Sequence, residues 1–459
     1  MTSDSARDAW GERLGRRLGL WSAVAVLVGS TIGSGIFRVP ALVAGEIGSA
    51  VPVLVLWLIG GLVALAGALT LAELAAALPR SGGIFAFILE AFGPLPAFLF
   101  GWSELVVLRA AALGAIATIF AEYLGYFFSF TPMQVRYVAA GAVIVCGAFN
   151  YVGVNVAAVV NNIATGLKFA ALAALALLAF VAGEGSAAHF TAAPAGPVAG
   201  LSVMATALVA VMWTYDGWAD LAFMGGEVKD PARNLPRALL LGTGLIVLVY
   251  ALINVAYIYL VPIAEMGSSK LIAADAARRI PLLGAGGGGV IAAMVMVSCF
   301  GALNGSMMTG PRVFFAMADR GLFFRGIARV SPRFQSPSVA IWLATLLGTV
   351  YVLLNDFKQL ADKFILGIWP FYALAVAAVF VFRRSRPDLA RPYRAWGYPV
   401  VPVLFLVASV GMVVNALWTD PVNTGITFGI IAVGVPAFFI WRRFGVVSAT
   451  GGSRSDGAA

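Results

Sequence analysis

About twelve apolar runs of roughly 20 residues, separated by short polar connectors, constrain this chain more than any other feature. They fall at residues 20–44, 51–78, 94–123, 135–149, 154–182, from 201 onward, 238–261, 289–317, 339–354, 364–382, 400–417 and 425–441. Lipid offers no partner to a backbone N–H or C=O, so a run of this length and polarity must cross as a helix. Hydrophobic residues make up 61% of the 459 and charged residues 11%. With a mean hydropathy of +0.94, this excludes a soluble domain and predicts an all-α integral membrane protein. The pI of 9.8 invites a nucleic-acid reading, but the basic residues lie mostly in short loops between runs, as membrane topology requires.

Two runs are poor material for a continuous helix. The first contains Gly29-Ser30-Thr31-Ile32-Gly33-Ser34-Gly35-Ile36-Phe37, and each glycine costs roughly 1 kcal/mol relative to Ala in a helix. The sixth reaches Trp213-Thr214-Tyr215-Asp216-Gly217-Trp218-Ala219-Asp220, with two carboxylates and a glycine at mid-span. Broken backbone at bilayer depth is tolerated only where protein or a cavity satisfies it, so the breaks point to a polar ligand near the midplane. For the first run the competing reading is a Gly/Ser helix-packing face.

Orientation follows from charge. With a cytoplasmic N-terminus, the inside segments hold Arg80, Lys229, Arg233, Arg237, Arg320, Arg325, Arg329, Arg333, Arg383, Arg384, Arg386, Arg391, Arg394, Arg442 and Arg443. The outside segments and span ends hold Arg38, Arg136, Lys270, Arg278, Arg279, Lys358 and Lys363. The bias places both termini inside and requires an even number of spans. The breaks in runs one and six divide the chain into a tail (1–18), two inverted repeats of five helices (19–183 and 184–382), a loop with helices 11 and 12 (383–443), and a Gly/Ser-rich disordered tail (444–459). An amphipathic stretch up to Phe92 is expected to lie at the interface. His189, in a Gly/Ala/Pro-rich connector, reads as a surface residue. Cys146 and Cys299, the only cysteines, fall inside spans and imply no disulfide framework.

Three segments carry a resemblance. The nine residues from Gly29 to Phe37 resemble the first-span signature of the amino acid–polyamine–organocation superfamily. Trp213 to Trp218, followed by Glu227-Val228-Lys229-Asp230-Pro231-Ala232-Arg233-Asn234-Leu235-Pro236, is similar to its L-type amino acid transporter branch. So is Ser298-Cys299-Phe300-Gly301-Ala302-Leu303-Asn304-Gly305-Ser306. The resemblance implies a LeuT-like fold with discontinuous helices 1 and 6, and a secondary transporter of small neutral L-amino acids working by alternating access. Sodium-independent exchange is expected, with proton-coupled symport or transport of polyamines or cationic amino acids as alternatives. A receptor or channel without coupled turnover, and a membrane enzyme, are less well matched, since no metal cluster, Walker A loop or nucleophile–base pair is evident. No cofactor or metal is implied. The cell membrane, as a bacterial inner membrane protein, is the expected location.

The resemblance also assigns residues. The substrate carboxylate is expected on the backbone N–H groups of Ser34, Gly35 and Ile36 at the start of the second half-helix, where orphan donors and the helix dipole favour an anion. Carbonyls around Val28 to Ile32, with those near Trp213 and Thr214, would face the ammonium. Gly33 and Gly35 allow close approach of the substrate. Tyr215, Asp216, Gly217 and Ala219 complete the expected binding segment, with Trp213 as an aromatic gate or, on the bland view, a packing residue. Asp216 would pair with a cation or bind a substrate amine, and the methyl of Ala219 argues against a dibasic substrate. Lys168, in mid-span five, is implied to stand where sodium-coupled relatives bind sodium, bridging first-span carbonyls and Ser298. Its structural alternative is an ion pair with Asp216. Glu104 and Arg109 are five apart, so they share a helix face less well than an i,i+4 pair would; pairing with other spans is the alternative, and their role is left open. The resemblance further implies a cysteine between spans three and four in relatives that link a partner subunit. Residues 125–136 contain none, so no disulfide-linked partner is expected.

Overall fold

The computed structural model describes residues 18–79, 83–152, 154–193, 199–223, 225, 228–319, 323, 325–328, 331 and 336–444. Both expected tails lie outside these residues apart from Leu18 and Phe444. Among the described residues the secondary structure is helical, and the single β-type contact is a bridge between Leu18 and Val228. Among the described residues, eight helices are long and apolar enough to cross a membrane.

The first half comprises α1 (Leu20–Thr31), α2 (Val39–Ile47), α3 (Ala50–Ala77), α4 (Gly83–Phe92), α5 (Pro94–Leu124), α6 (Pro132–Val152) and α7 (Val154–Ala182). Then follow α8 (Leu201–Tyr215), α9 (Asp220–Phe223), α10 (Pro231–Leu260), α11 (Ile263–Ser268), α12 (Ile272–Arg278), α13 (Gly287–Asp319), α14 (Ser338–Leu354) and α15 (Phe357–Ser385). The chain closes with α16 (Val400–Thr419), α17 (Pro421–Ala432) and α18 (Gly434–Phe444).

Local chemistry sets many of these limits. Proline occupies the first turn of α2, α5, α10 and α17, where its missing N–H costs nothing. Gly48 ends α2 in a left-handed conformation, φ +68°. Asp356 and Gln359 form a reciprocal capping box that starts α15 seven residues before the apolar run does.

The most enclosed span is α5, 83% of whose apolar window is buried, against 22% for α16. Hence α5 lies at the centre and α16 faces the surroundings. It packs on α13, α14 and α15, while α3 and α1 pack on α10. The amphipathic segment expected at the interface is instead part of the interior. In α4, Gly83 to Ile88 are all buried, and the helix packs on α15. Its apolar face was legible, but the protein rather than the membrane surface covers it.

Buried charge at one end is fully matched. The Glu73 carboxylate accepts from Arg383 at 2.6 and 2.9 Å and from the Ala395 N–H at 2.8 Å, with Arg391 at 3.5 Å. This joins α3 to α15 and the loop beyond it. His189 is half-buried rather than free on the surface, its Nδ1 lying 2.9 Å from the Tyr259 carbonyl oxygen at the end of α10. Both cysteines are buried thiols.

Candidate substrate site

Both expected breaks are present. The first half-helix, α1, stops at Thr31, and a short 3-10 turn at Gly35–Phe37 leads into α2. The sixth run stops at Tyr215, Asp216 is extended, Gly217 adopts φ +104°, and α9 begins at Asp220.

The two breaks touch. A Cβ on Gly217 would stand 2.9 Å from Thr31 Cα, and one on Gly35 would stand 3.0 Å from Thr214 Cα. Only glycine fits such backbone contact, and at Gly217 the positive φ imposes the same choice. Gly33 has more room, its nearest neighbour being the Thr31 carbonyl at 3.8 Å. Tyr250 of α10 fastens the crossing point. Its Oη lies 2.9 Å from the carbonyl oxygens of both Thr31 and Thr214. A single hydroxyl thereby serves backbone groups that both breaks release.

The amides of Ser34, Gly35 and Ile36 are buried. Among the described residues they donate to no protein acceptor. Buried N–H groups of this kind ordinarily find a partner, and three in succession at the start of a helix form an anion cradle. On the opposite side of the break, the Lys168 ammonium donates to the Gly29 carbonyl at 2.5 Å. Lys168 is 4% exposed, so this contact fixes a cation beside the end of α1. The expected bridge to Ser298 is not made, since that hydroxyl is buried without a hydrogen bond.

Asp216 and Lys168 do not pair. Tyr372 of α15 donates to Asp216 Oδ1 at 2.7 Å. Tyr215, expected in the binding segment, turns away from the break: its hydroxyl donates to the Trp57 carbonyl at 3.1 Å. Trp213 is buried and stands edge-on to Phe364 and Phe357, with ring centroids 5.2 and 6.3 Å away. Thr214 Oγ1 is buried without a partner, and Ala219 and Ile32 are fully buried.

Access is one-sided. Ser30 is exposed and Gly29, Gly33, Asp216 and Asp220 are half-buried, whereas Ser34, Gly35, Ile36 and Trp213 are buried. Beyond Trp213 an ion pair closes the other side, Arg38 to Glu122 at 2.9 Å. Tyr123 adds a bond to the Phe37 carbonyl at 2.7 Å.

Glu104 and Arg109 do share a face, paired at 3.0 Å. Residues 104–108 form a π-helical turn, in which the Arg109 N–H donates to the Glu104 carbonyl five residues back. That periodicity brings residues five apart into register. Arg109 also donates to Ser306 Oγ at 2.8 Å, and the Tyr351 hydroxyl donates to the Val106 carbonyl at 2.7 Å. None of Tyr250, Tyr372 and Tyr351 stood out in the sequence, since a lone tyrosine in an apolar run is indistinguishable from packing until its partner is seen.

These features define a helical membrane protein with two interrupted helices crossing at a buried polar site. Residues 18–441 match the family model described as amino acid permease. The chain belongs to that family, within the amino acid–polyamine–organocation superfamily. It is 30% identical to the serine/threonine exchanger SteT of Bacillus subtilis over 94% of this chain and 98% of that protein. The human b(0,+)-type amino acid transporter 1 is 31% identical over 89% of this chain and 84% of its own. The human cystine/glutamate transporter is 30% identical over 94% and 86%.

Proposed function

We propose that this protein is a secondary transporter of small neutral L-amino acids that works by alternating access as a sodium-independent exchanger. The observation that carries this reading is the buried cradle of free N–H groups at Ser34, Gly35 and Ile36, which suits a carboxylate. The substrate ammonium would face carbonyls at the end of α1 and near Trp213 and Thr214. The sequence supports a frame of twelve spans with an inverted five-plus-five repeat and both termini cytoplasmic.

Lys168 supports sodium independence. Its ammonium holds the Gly29 carbonyl, so a fixed protein cation occupies the neighbourhood that a monovalent metal ion would need. The one-sided access fits a conformation open toward the cytoplasm, with Trp213 and the Arg38–Glu122 pair closing the outer route. Relatives named for exchange, such as the serine/threonine exchanger, favour antiport of small polar or neutral substrates. A cationic substrate is the second reading, and Asp216 and Asp220 on the accessible face are what favour it.

Purified protein in liposomes loaded with unlabelled amino acid tests these readings. Labelled serine, alanine, leucine and arginine are offered without sodium, with and without a pH gradient. Uptake of a small neutral amino acid that requires internal amino acid but no gradient is expected. Uptake into empty vesicles driven by protons would replace exchange by symport, and arginine uptake alone would replace the substrate class.

A further inference from the structure

At the end of the molecule that the charge bias assigns to the cytoplasm, α1 and α10 start side by side. Leu18 bridges Val228 just before the two helices. Further on, a Cβ on Gly242 would meet the Leu27 side chain at 2.6 Å, and Thr31 meets Tyr250 at the crossing point. These contacts follow the same order along both segments, so the helices run parallel. They place Trp21 between the levels of Val228 and Gly242, at the height of Arg233 and Arg237.

The groups at that height are exposed and unpaired. Trp21 is 75% exposed. Arg233 and Arg237, four residues apart on α10, are exposed, as is Lys229 just before them. Among the described residues none of the three cationic side chains forms a hydrogen bond or ion pair, and Asp230 beside them pairs with none of them. Beyond Arg237 the outward face of α10 turns apolar, with Leu241, Leu245, Leu248 and Leu252 all exposed. From Leu241 to its end at Leu260 the helix rises about 30 Å, the thickness of a hydrocarbon layer. The arginines therefore stand at headgroup depth, where an exposed tryptophan also belongs.

We propose that this surface binds one anionic phospholipid of the cytoplasmic leaflet. Arg233 and Arg237 hold its phosphate, since guanidinium groups match phosphate oxygens in pairs. Lys229 faces the remaining headgroup charge, and an acyl chain lies along Leu241, Leu245, Leu248 and Leu252. Charge complementarity selects this occupant: a zwitterionic lipid would bring its own cation against three fixed ones. Trp21 belongs to α1 and the arginines to α10, so the lipid clasps the first half-helix to the helix whose Tyr250 fastens both breaks. None of this depends on which substrate the protein carries.

Native mass spectrometry of the delipidated, full-length protein titrated with phosphatidylglycerol or phosphatidylcholine is the direct test. Wild type is expected to retain one phosphatidylglycerol severalfold more tightly than phosphatidylcholine. Arg233→Gln with Arg237→Gln removes that preference, and Trp21→Ala, which leaves every charge in place, weakens it severalfold. The control, Arg384→Gln with Arg394→Gln, makes the same charge change at exposed arginines elsewhere on that side and keeps the preference. Equal affinity for the two lipids in wild type overturns the proposal, as does an equal loss in the control, which would reduce the effect to diffuse charge. An unchanged Trp21→Ala overturns it too. Displacement of the lipid by glycerol 3-phosphate at equal affinity would assign the arginines to a soluble anion and likewise overturn it.

Discussion

Replacing Gly217 by alanine tests whether the two breaks must touch for the site to form. The added Cβ would lie 2.9 Å from Thr31 Cα and 3.0 Å from Thr31 N, both backbone atoms that no rotamer change can move. Reaching ordinary contact requires α1 to retreat by about half an ångström, and such overpacking costs roughly 1–3 kcal/mol. Holding alanine at the glycine-like φ of +104° adds about 1–3 kcal/mol. Allowing the two to relax together leaves about 2–4 kcal/mol, and at 1.4 kcal/mol per decade the assembled site is depleted roughly 30- to 1,000-fold. Initial-rate uptake in liposomes, normalised to incorporated protein, reads this directly. Gly244→Ala in α10 is the control, because a Cβ there meets nothing within 4 Å. Gly217→Ala uptake within twofold of wild type, with an unchanged KM, would refute the argument.

Three further substitutions probe the same neighbourhood. Tyr250→Phe removes the hydroxyl shared by the Thr31 and Thr214 carbonyls; a thermal-shift measurement should report a loss of about 1–3 kcal/mol, and an unchanged midpoint would count against the clamp. Glu104→Gln leaves Arg109 without its carboxylate, at a cost of about 3–5 kcal/mol for a buried pair, and the double variant with Arg109→Gln should be more stable than the single one in the same assay. Lys168→Met removes the cation on the Gly29 carbonyl and should reduce exchange more than tenfold at any sodium concentration; wild-type rates would assign Lys168 to packing.

The membrane frame was legible because hydropathy and glycine act locally. The runs at 154–182 and 339–354 differ from α7 and α14 by at most one residue at an end, and Gly217 marked its break through a conformation only glycine enters readily. Polar partnerships were less accessible. Asp216 read as a candidate for a cation, yet its partner is a tyrosine 156 residues away, and no periodicity encodes that distance. The role of Glu104 and Arg109 stayed open for another reason: the spacing rule assumes α geometry, and the π turn changes the rule. Lys168 was placed at the first-span carbonyls, but the sequence could not specify which of two hydrogen-bonding surfaces, carbonyl or Ser298 hydroxyl, its ammonium would reach.

The π turn also gives α5 an evolutionary signature. It holds one residue more than an α-helix spanning the same two ends, so its natural mode of change is a single-residue gap rather than a substitution. Losing one residue between Glu104 and Arg109 would close the turn into α geometry and leave the pair four apart, still neighbours. The Val106 carbonyl would then return to the helix's own ladder, and the Tyr351 hydroxyl would lose its acceptor. Among homologous chains, a gap here and the loss of a hydroxyl at position 351 are therefore expected to occur together, although α5 and α14 lie more than 200 residues apart in sequence.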